Sequence, residues 1–197
     1  MESTVERIGM PLDEYIRQYD EQPFELIDGE RKPLMVNVAG HGEIAQAIFL
    51  ALHILVSANH LGYAFLEQTF VLSYDSKWVT GSRKPDVMYY SAERMDAYKH
   101  ATPNYKNMPY ILVPDLAVEV ISPTDDLHAL NEKVNQYLLD GVKVVWVFDP
   151  QPQTASIHTL TASKPFTKQQ IILKAEDTLT GGDLIPKFEI KVANVFA

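Results

Sequence analysis

One acid inside an otherwise apolar run constrains this chain more than any other feature. Pro114-Asp115-Leu116-Ala117-Val118-Glu119-Val120-Ile121-Ser122 reads as a strand. Because alternate side chains share a face, Glu119 points with Ala117 and Ile121, while Val118, Val120 and Ser122 point the other way. Both faces are apolar except at Glu119, which makes this the central buried strand of a sheet. A carboxylate there is costly unless it is paired or holds a cation. Asp86, in Lys84-Pro85-Asp86-Val87-Met88-Tyr89-Tyr90, belongs to a second apolar strand, and a divalent metal shared with Glu119 is the most economical partner. A helix carrying Lys133 follows. Two strand acids and a lysine in that order outline a metal-dependent phosphodiester-cleaving site.

The rest of the chain supplies a frame for these strands. Leu12 to Tyr19 has a short helical pattern, and Phe24-Glu25-Leu26-Ile27-Asp28-Gly29-Glu30 predicts a strand entering an Asp-Gly hairpin turn, with Leu34 to Val38 returning. Gly40-His41-Gly42 introduces a helix to about Asn59, with Ile44, Ile48, Ala51, Leu52 and Leu55 at helical spacing. Tyr63 to Tyr74 and Pro85 to Tyr90 are strand candidates with a turn region between them, and Ser91 to Asn107 predicts an exposed loop with a short helix. After Ser122-Pro123, Asp125 or Asp126 caps a helix to about Asp140, and Gly141 stands where a left-handed C-terminal cap is favoured. Val142 to Phe148 is a further strand, and short strands follow at Ala155 to Leu160, Gln170 to Leu173 and Phe188 to Val192. This order predicts an α/β (α+β) fold, a mixed sheet flanked by helices rather than a doubly wound one.

At 197 residues, with 46% apolar and 22% charged residues, the chain is of the size and make-up of one soluble domain over 1–197. There is no cysteine, which excludes disulfides, thiolate metal sites and cysteine nucleophiles. The N-terminus shows no basic-then-apolar signal segment, so the expected compartment is the cytoplasm. The apolar stretch Ile44 to Ala58 is broken by Gln46, His53 and Ser57 and falls short of the roughly 18 residues of a membrane span, so no membrane role is expected. The net charge of −9 argues against a general nucleic-acid-coating protein, because phosphate binding relies on Lys and Arg. A site that gathers its own carboxylates can recover positive charge through metal ions.

The pattern resembles the PD-(D/E)xK nuclease superfamily, in which an aspartate after a proline and an acid on the next core strand hold magnesium and a lysine two positions on assists the attacking water. Here that position is Ile121, and Lys133 on the next helix is the natural replacement. Within the superfamily the chain resembles the Uma-type restriction endonuclease family. The resemblance is carried by Phe24 to Glu30, His41 opening a long helix, Lys84-Pro85-Asp86-Val87, Asp115 to Pro123, Lys133 with Tyr137, and Gly141 to Pro150. These span a core of about 24–150, and Leu184-Ile185-Pro186 with Phe188-Glu189-Ile190 fits the ending.

The resemblance implies a restriction-endonuclease-like sheet with added N- and C-terminal hairpins, and a Mg²⁺-dependent endodeoxyribonuclease that leaves 5′-phosphates. It implies Asp86 and Glu119 as ligands of Mg²⁺ or Mn²⁺, with the backbone carbonyl of Val120 as a third. Lys133 would orient the water or neutralise charge on the phosphate. Glu43, Gln136 and Tyr137 are accessory candidates, and a homodimer is a simple way to cut both strands of DNA. With no attached DNA-reading module, specificity is expected from the loops Trp78 to Lys84 and Tyr98 to Asn107.

Plainer readings stand beside these. Asp115 is a residue at the start of a strand or in a turn, Asp125 and Asp126 are helix caps, and His41 is a cap or loop residue. Lys133 alone is a solvated helix lysine with its stem on the core, and Glu43 an exposed first-turn glutamate. His53 and His60 show no paired-ligand pattern. Two other functions remain open: a catalytically silent binding protein of the same fold, and a metal-free carboxylate-pair hydrolase using Glu119 and Asp86. Removing either acid is expected to leave the fold intact or to stabilise it by relieving crowded carboxylates.

Overall fold

A computed structural model describes residues 8–36, 38–75, 77–123, 125–161 and 166–197. The extreme N-terminus, read above for a signal segment, lies outside the described residues. In chain order the first elements are β1 (Met10–Pro11), α1 (Leu12–Glu21), β2 (Phe24–Ile27), β3 (Glu30–Pro33) and α2 (Ala39–Ala58). Then come β4 (Gly62–Leu66), β5 (Phe70–Ser73), β6 (Trp78–Arg83), β7 (Val87–Ser91), α3 (Ala92–Ala101), β8 (Leu116–Val120) and α4 (Leu127–Asp140). The chain ends with β9 (Val144–Asp149), β10 (Thr154–Leu160), β11 (Lys168–Leu173), β12 (Thr178–Thr180) and β13 (Glu189–Lys191).

Within the span read as one domain, residues group into two compact units, neither of them continuous in the chain. The first takes described residues from Met1–Val36, Thr69–Lys84 and Asn104–Val113. In it β1, β6 and β5 form a three-stranded sheet and β2 pairs with β3. The hairpin turn is Asp28-Gly29, both at positive φ (50° and 82°), the geometry a two-residue hairpin connection demands. Trp78–Arg83 is strand β6 and not the loop expected from its polar sequence. Ser82 and Arg83 are buried and bonded to the hairpin, Ser82 Oγ accepting from the Leu26 N–H at 2.8 Å and Arg83 Nη1 donating to the Leu26 carbonyl at 2.8 Å. The returning strand of the hairpin is Glu30–Pro33, earlier than the apolar pattern of Leu34 to Val38 suggested, because the short turn fixes the register.

The second unit takes described residues from Asn37–Gln68, Pro85–Pro103 and Pro114–Ala197. Its six-stranded sheet runs β11-β10-β9-β8-β7-β4. Only the β8–β9 pair is parallel, with α4 as the crossover, and every other neighbour is antiparallel, giving the mixed sheet expected. The stretch Tyr63 to Tyr74 is two strands, β4 and β5, in separate sheets. Ser91 to Asn107 holds the ten-residue helix α3 and a 3-10 turn at Tyr105–Asn107. β12 and β13 form a C-terminal pair.

α2 lays Ile44, Ala45, Ile48, Leu52 and Val56 on one face of the sheet, against Val87, Tyr89, Leu116, Val118, Val120, Trp146 and Phe148. At 20 residues and a mean hydropathy of 1.4 over its most apolar window it is long and apolar enough to cross a membrane by length and composition, more so than Ile44 to Ala58 suggested. That apolar character serves the core, in which those five residues are packed. α4 covers β9 and β10. Asp126 caps it, accepting from the His128 N–H at 2.8 Å, and Gly141 ends it at φ 107°.

Candidate active site

The candidate residues that meet all lie in the second unit, at the end of β8. Leu116, Val118 and Val120 join the core beneath α2, so Glu119, on the alternate phase, faces the α4 side. α4 turns Val134, Tyr137 and Leu138 inward, and Lys133 stands at the border of that stripe. Tyr137 donates its hydroxyl to Glu119 Oε1 at 2.6 Å, and Lys133 Nζ donates to Oε2 at 3.0 Å. The buried acid thus finds both partners on the helix that follows it. The phenol of Tyr137, whose side chain has no exposed surface, gains the hydrogen bond that a buried hydroxyl requires.

Asp86 is held just as fully. Its N–H continues the β7–β8 ladder onto the Val118 carbonyl at 3.0 Å. Its Oδ2 accepts the Val120 N–H at 2.7 Å, and its Oδ1 is bonded to His41 Nε2 at 2.8 Å. Nδ1 of the same imidazole is bonded to Ser122 Oγ at 3.0 Å, so an Asp86-His41-Ser122 chain ties α2 to the end of β8. Burial pulls the His41 pKa down, but the hydrogen bond and charge of Asp86, followed by the charges of Glu119 and Asp125, outweigh it and hold it above the ordinary value. Three carboxylates therefore act on one imidazole.

A residue's N–H and C=O point to the same side of a strand. The carbonyl of Val120 accordingly lies on the β7 side of β8, where its N–H meets Asp86. Two carboxylates and a carbonyl are hard oxygen donors of the kind Mg²⁺ takes, and that ion needs only one or two carboxylates because it keeps several waters. Charge favours a cation too. Asp86, Glu119 and Asp125 face Lys133 and one imidazole, which leaves the cluster negative whether or not His41 is protonated. Among the described residues no group of three or more His, Cys, Asp or Glu side chains is placed to hold a metal, so any ion would rest on this smaller set.

The structure brings Glu119 to Lys133 and Tyr137, and Asp86 to the Val120 N–H and His41, two sets at the end of β8 that are linked through the charge of Glu119 on His41. It does not bring in Glu43, which is exposed on α2, nor does any described hydrogen bond join the half-buried Gln136 to Glu119 or Lys133. The second Pro-Asp pair lies elsewhere. Asp115 is fully buried, ion-paired through Oδ1 with Arg94 Nη1 and Lys143 Nζ at 2.8 Å each, and its Oδ2 accepts the Ser91 N–H at 2.9 Å. It stands at the entry to β8, as the plainer reading had it, and is a buried anchor for strand and helix.

Two members of the cluster escaped the sequence reading. His41 is buried, not a cap or loop residue, and the signal was its spacing: His41, Ile44, Ala45 and Ile48 fall at i, i+3, i+4 and i+7 on the buried stripe. Ser122 carried no signal beyond its place at the end of β8.

A family model, Uma2, described as "Putative restriction endonuclease", matches residues 12–193. No curated protein sequence matches the chain. Among solved structures, the crystal structure of a protein from Anabaena variabilis described as "a putative nuclease belonging to DUF820" superposes with a TM-score of 0.73. It is 17% identical and the alignment covers 95% of this chain and 97% of that one, so the two share a fold over nearly their whole lengths.

Proposed function

The chain belongs to the Uma2 family, and from that premise we propose that it is a metal-dependent endonuclease that hydrolyses DNA phosphodiester bonds. The observation that carries the reading is the Lys133–Glu119 pair at 3.0 Å. It places an ammonium beside the strand acid although the strand itself offers Ile121 where the superfamily pattern has lysine. Asp86, Glu119 and the Val120 carbonyl would hold Mg²⁺ or Mn²⁺, which when bound polarises the scissile phosphate and lowers the pKa of a water. Lys133 keeps positive charge where a phosphate oxygen gains negative charge in the transition state. Tyr137 fixes one oxygen of Glu119, and His41 with Ser122 behind it fixes one oxygen of Asp86. A cytoplasmic homodimer, one site for each strand, completes the proposal.

A plasmid assay tests it: supercoiled DNA incubated with and without Mg²⁺ or Mn²⁺, using wild type, Glu119→Gln and Lys133→Gln. Metal-dependent nicking by wild type that leaves 5′-phosphates and is lost in Glu119→Gln is the expected result. Equal nicking by Glu119→Gln excludes this site.

A second reading has its own support. All four oxygens of Asp86 and Glu119 already have a protein partner, and the chain is acidic, as a catalytically silent protein of this fold could be. Calorimetric titration with Mg²⁺ and Mn²⁺ separates the two, because the silent protein binds neither ion at the cluster.

A further inference from the structure

Beside Glu119, on the α4 face of the sheet, lies an open pocket of about 210 Å³. Strand register fixes its place. Glu119 is paired with Val147 across β8–β9, Val147 with Ser156 across β9–β10, and Ser156 with Ile172 across β10–β11. Directly paired residues share a face, so these four form one row, and the last three line the pocket. With strands about 4.8 Å apart, Ser156 lies roughly 10 Å from Glu119 along the sheet. His158 and Gln170, paired in a neighbouring row, line it as well. α4 supplies the facing wall, including Val134, the residue after Lys133. Ile121 is another wall, so the residue that displaced the expected lysine is part of this pocket.

The lining has two kinds of surface. Leu127 and Ile172 are apolar and 59% and 62% exposed, so an apolar ligand face seated against them would take that surface out of water. Asn131, Asp149 and Gln170 offer donors and acceptors around these walls. Beside them His158 is buried, its Nε2 bonded to Ser156 Oγ at 2.8 Å and its Nδ1 without a hydrogen-bond partner among the described residues. A saccharide would want polar walls, and an acyl chain would leave the amides and the carboxylate unmatched. An anion is repelled by Asp149. A heteroaromatic base has apolar faces and a polar edge, and it matches both surfaces.

We infer that this pocket receives one nucleobase, unstacked from the strand whose phosphate lies at Glu119 and Lys133, and that the substrate is therefore DNA with a locally unpaired nucleotide. The inference rests on the nuclease reading for the position of that phosphate. Apolar walls meet the two faces of the base, polar side chains meet its edge, and the base in its pocket sets which phosphate reaches the acids.

The test is ligand-observed saturation-transfer NMR in metal-free buffer, with the four uncharged deoxynucleosides and with 2-deoxyribose as the probe lacking a base. Wild type is expected to transfer saturation to base protons, with the sugar alone silent. Ser156→Phe, which fills the pocket, is expected to abolish the transfer. The surface variant Asn131→Ala/Gln170→Ala, which keeps the fold if Ser156→Phe does not, weakens it about fivefold or more. No transfer to base protons in wild type, or transfer unchanged in the folded variants, overturns the inference. Cleavage of a duplex oligonucleotide carrying one unpaired nucleotide, with Mg²⁺ or Mn²⁺, keeps the two readings apart: cleavage without base contact discards the pocket and leaves the nuclease, whereas base contact without cleavage of that duplex leaves a base-binding pocket and discards the nuclease.

Discussion

The backbone N–H of Val120 donates to Oδ2 of Asp86 at 2.7 Å, so a side chain just before β7 continues the hydrogen bonding of β8 two residues past its last paired position, Val118. The acid expected to hold a metal is also a structural bridge. Together with the His41 bond it joins two strands and a helix, which changes what its removal should do.

Asp86→Ala should destabilise the protein instead of leaving it untouched or relieved. The substitution strands a buried Val120 N–H and a buried imidazole nitrogen, at about 1–3 kcal/mol for an unsatisfied buried group. Urea denaturation of wild type and variant measures the difference. An unchanged or higher midpoint would show that crowding between carboxylates outweighs the bridge.

Metal binding should appear as thermal stabilisation. An ion held only by the native state at a hundredfold excess over its Kd adds about 2.7 kcal/mol, so Mg²⁺ or Mn²⁺ should raise the melting temperature of wild type. Asp86→Asn and Glu119→Gln should lose the rise, which scanning fluorimetry can follow.

Lys133→Gln should separate turnover from binding. The amide retains a hydrogen-bond donor for Glu119 but carries no charge, and loss of one charge-stabilising donor costs about 100-fold or more in rate. The expected result is a nicking rate down by that factor with the metal-induced thermal shift preserved. Loss of both together would make Lys133 a structural residue.

Stability should fall on the acid side through two groups in successive windows. Burial, and next the charge of Lys168, push the His158 pKa down from 6.5 to about 4. Between those values the unfolded chain takes up a proton that the folded one refuses, so stability drops as pH falls from about 6.5 to about 4, by at most roughly 1.4 kcal/mol per pH unit. Asp115 acts lower. Burial raises its pKa, but Lys143, the Ser91 N–H and Arg94 overcome that and hold it below the ordinary value. Its contribution is present above the unfolded carboxylate pKa and disappears as pH falls through the folded one. Denaturation midpoints of wild type and His158→Gln across pH 4 to 7 check the first window: the variant should lack that limb of the curve.

Gly141→Ala isolates a backbone effect. Nothing stands within 4 Å of the added Cβ, yet φ is +107°, so the left-handed conformation alone should cost about 1–2 kcal/mol. Chemical denaturation gives the value.

The sequence was most legible where polarity and position disagreed. Glu119 in an apolar strand pointed to a partner, and the capped helix with Gly141 at its end located Lys133 and Tyr137. Legibility failed where polar residues were satisfied from far along the chain. Trp78–Arg83 looked like a loop because nothing local shows that Ser82 and Arg83 are bonded to Leu26, more than fifty residues away. His41 was hidden for a related reason. Its glycine neighbours suggested a helix start, while its bonding partners, Asp86 and Ser122, are 45 and 81 residues distant. Glu43 is the exposed helix glutamate of the plainer reading and does not join the acids.

Lys133 reaches Glu119 from α4, the crossover between two parallel strands, and not from β8 itself. Pairing β7 with β8 assembles the acids, but the ammonium arrives only when the strand-helix-strand unit has closed. On the nuclease reading, hydrolytic competence needs the helix docked: with the strands paired and α4 displaced, the centre lacks its ammonium.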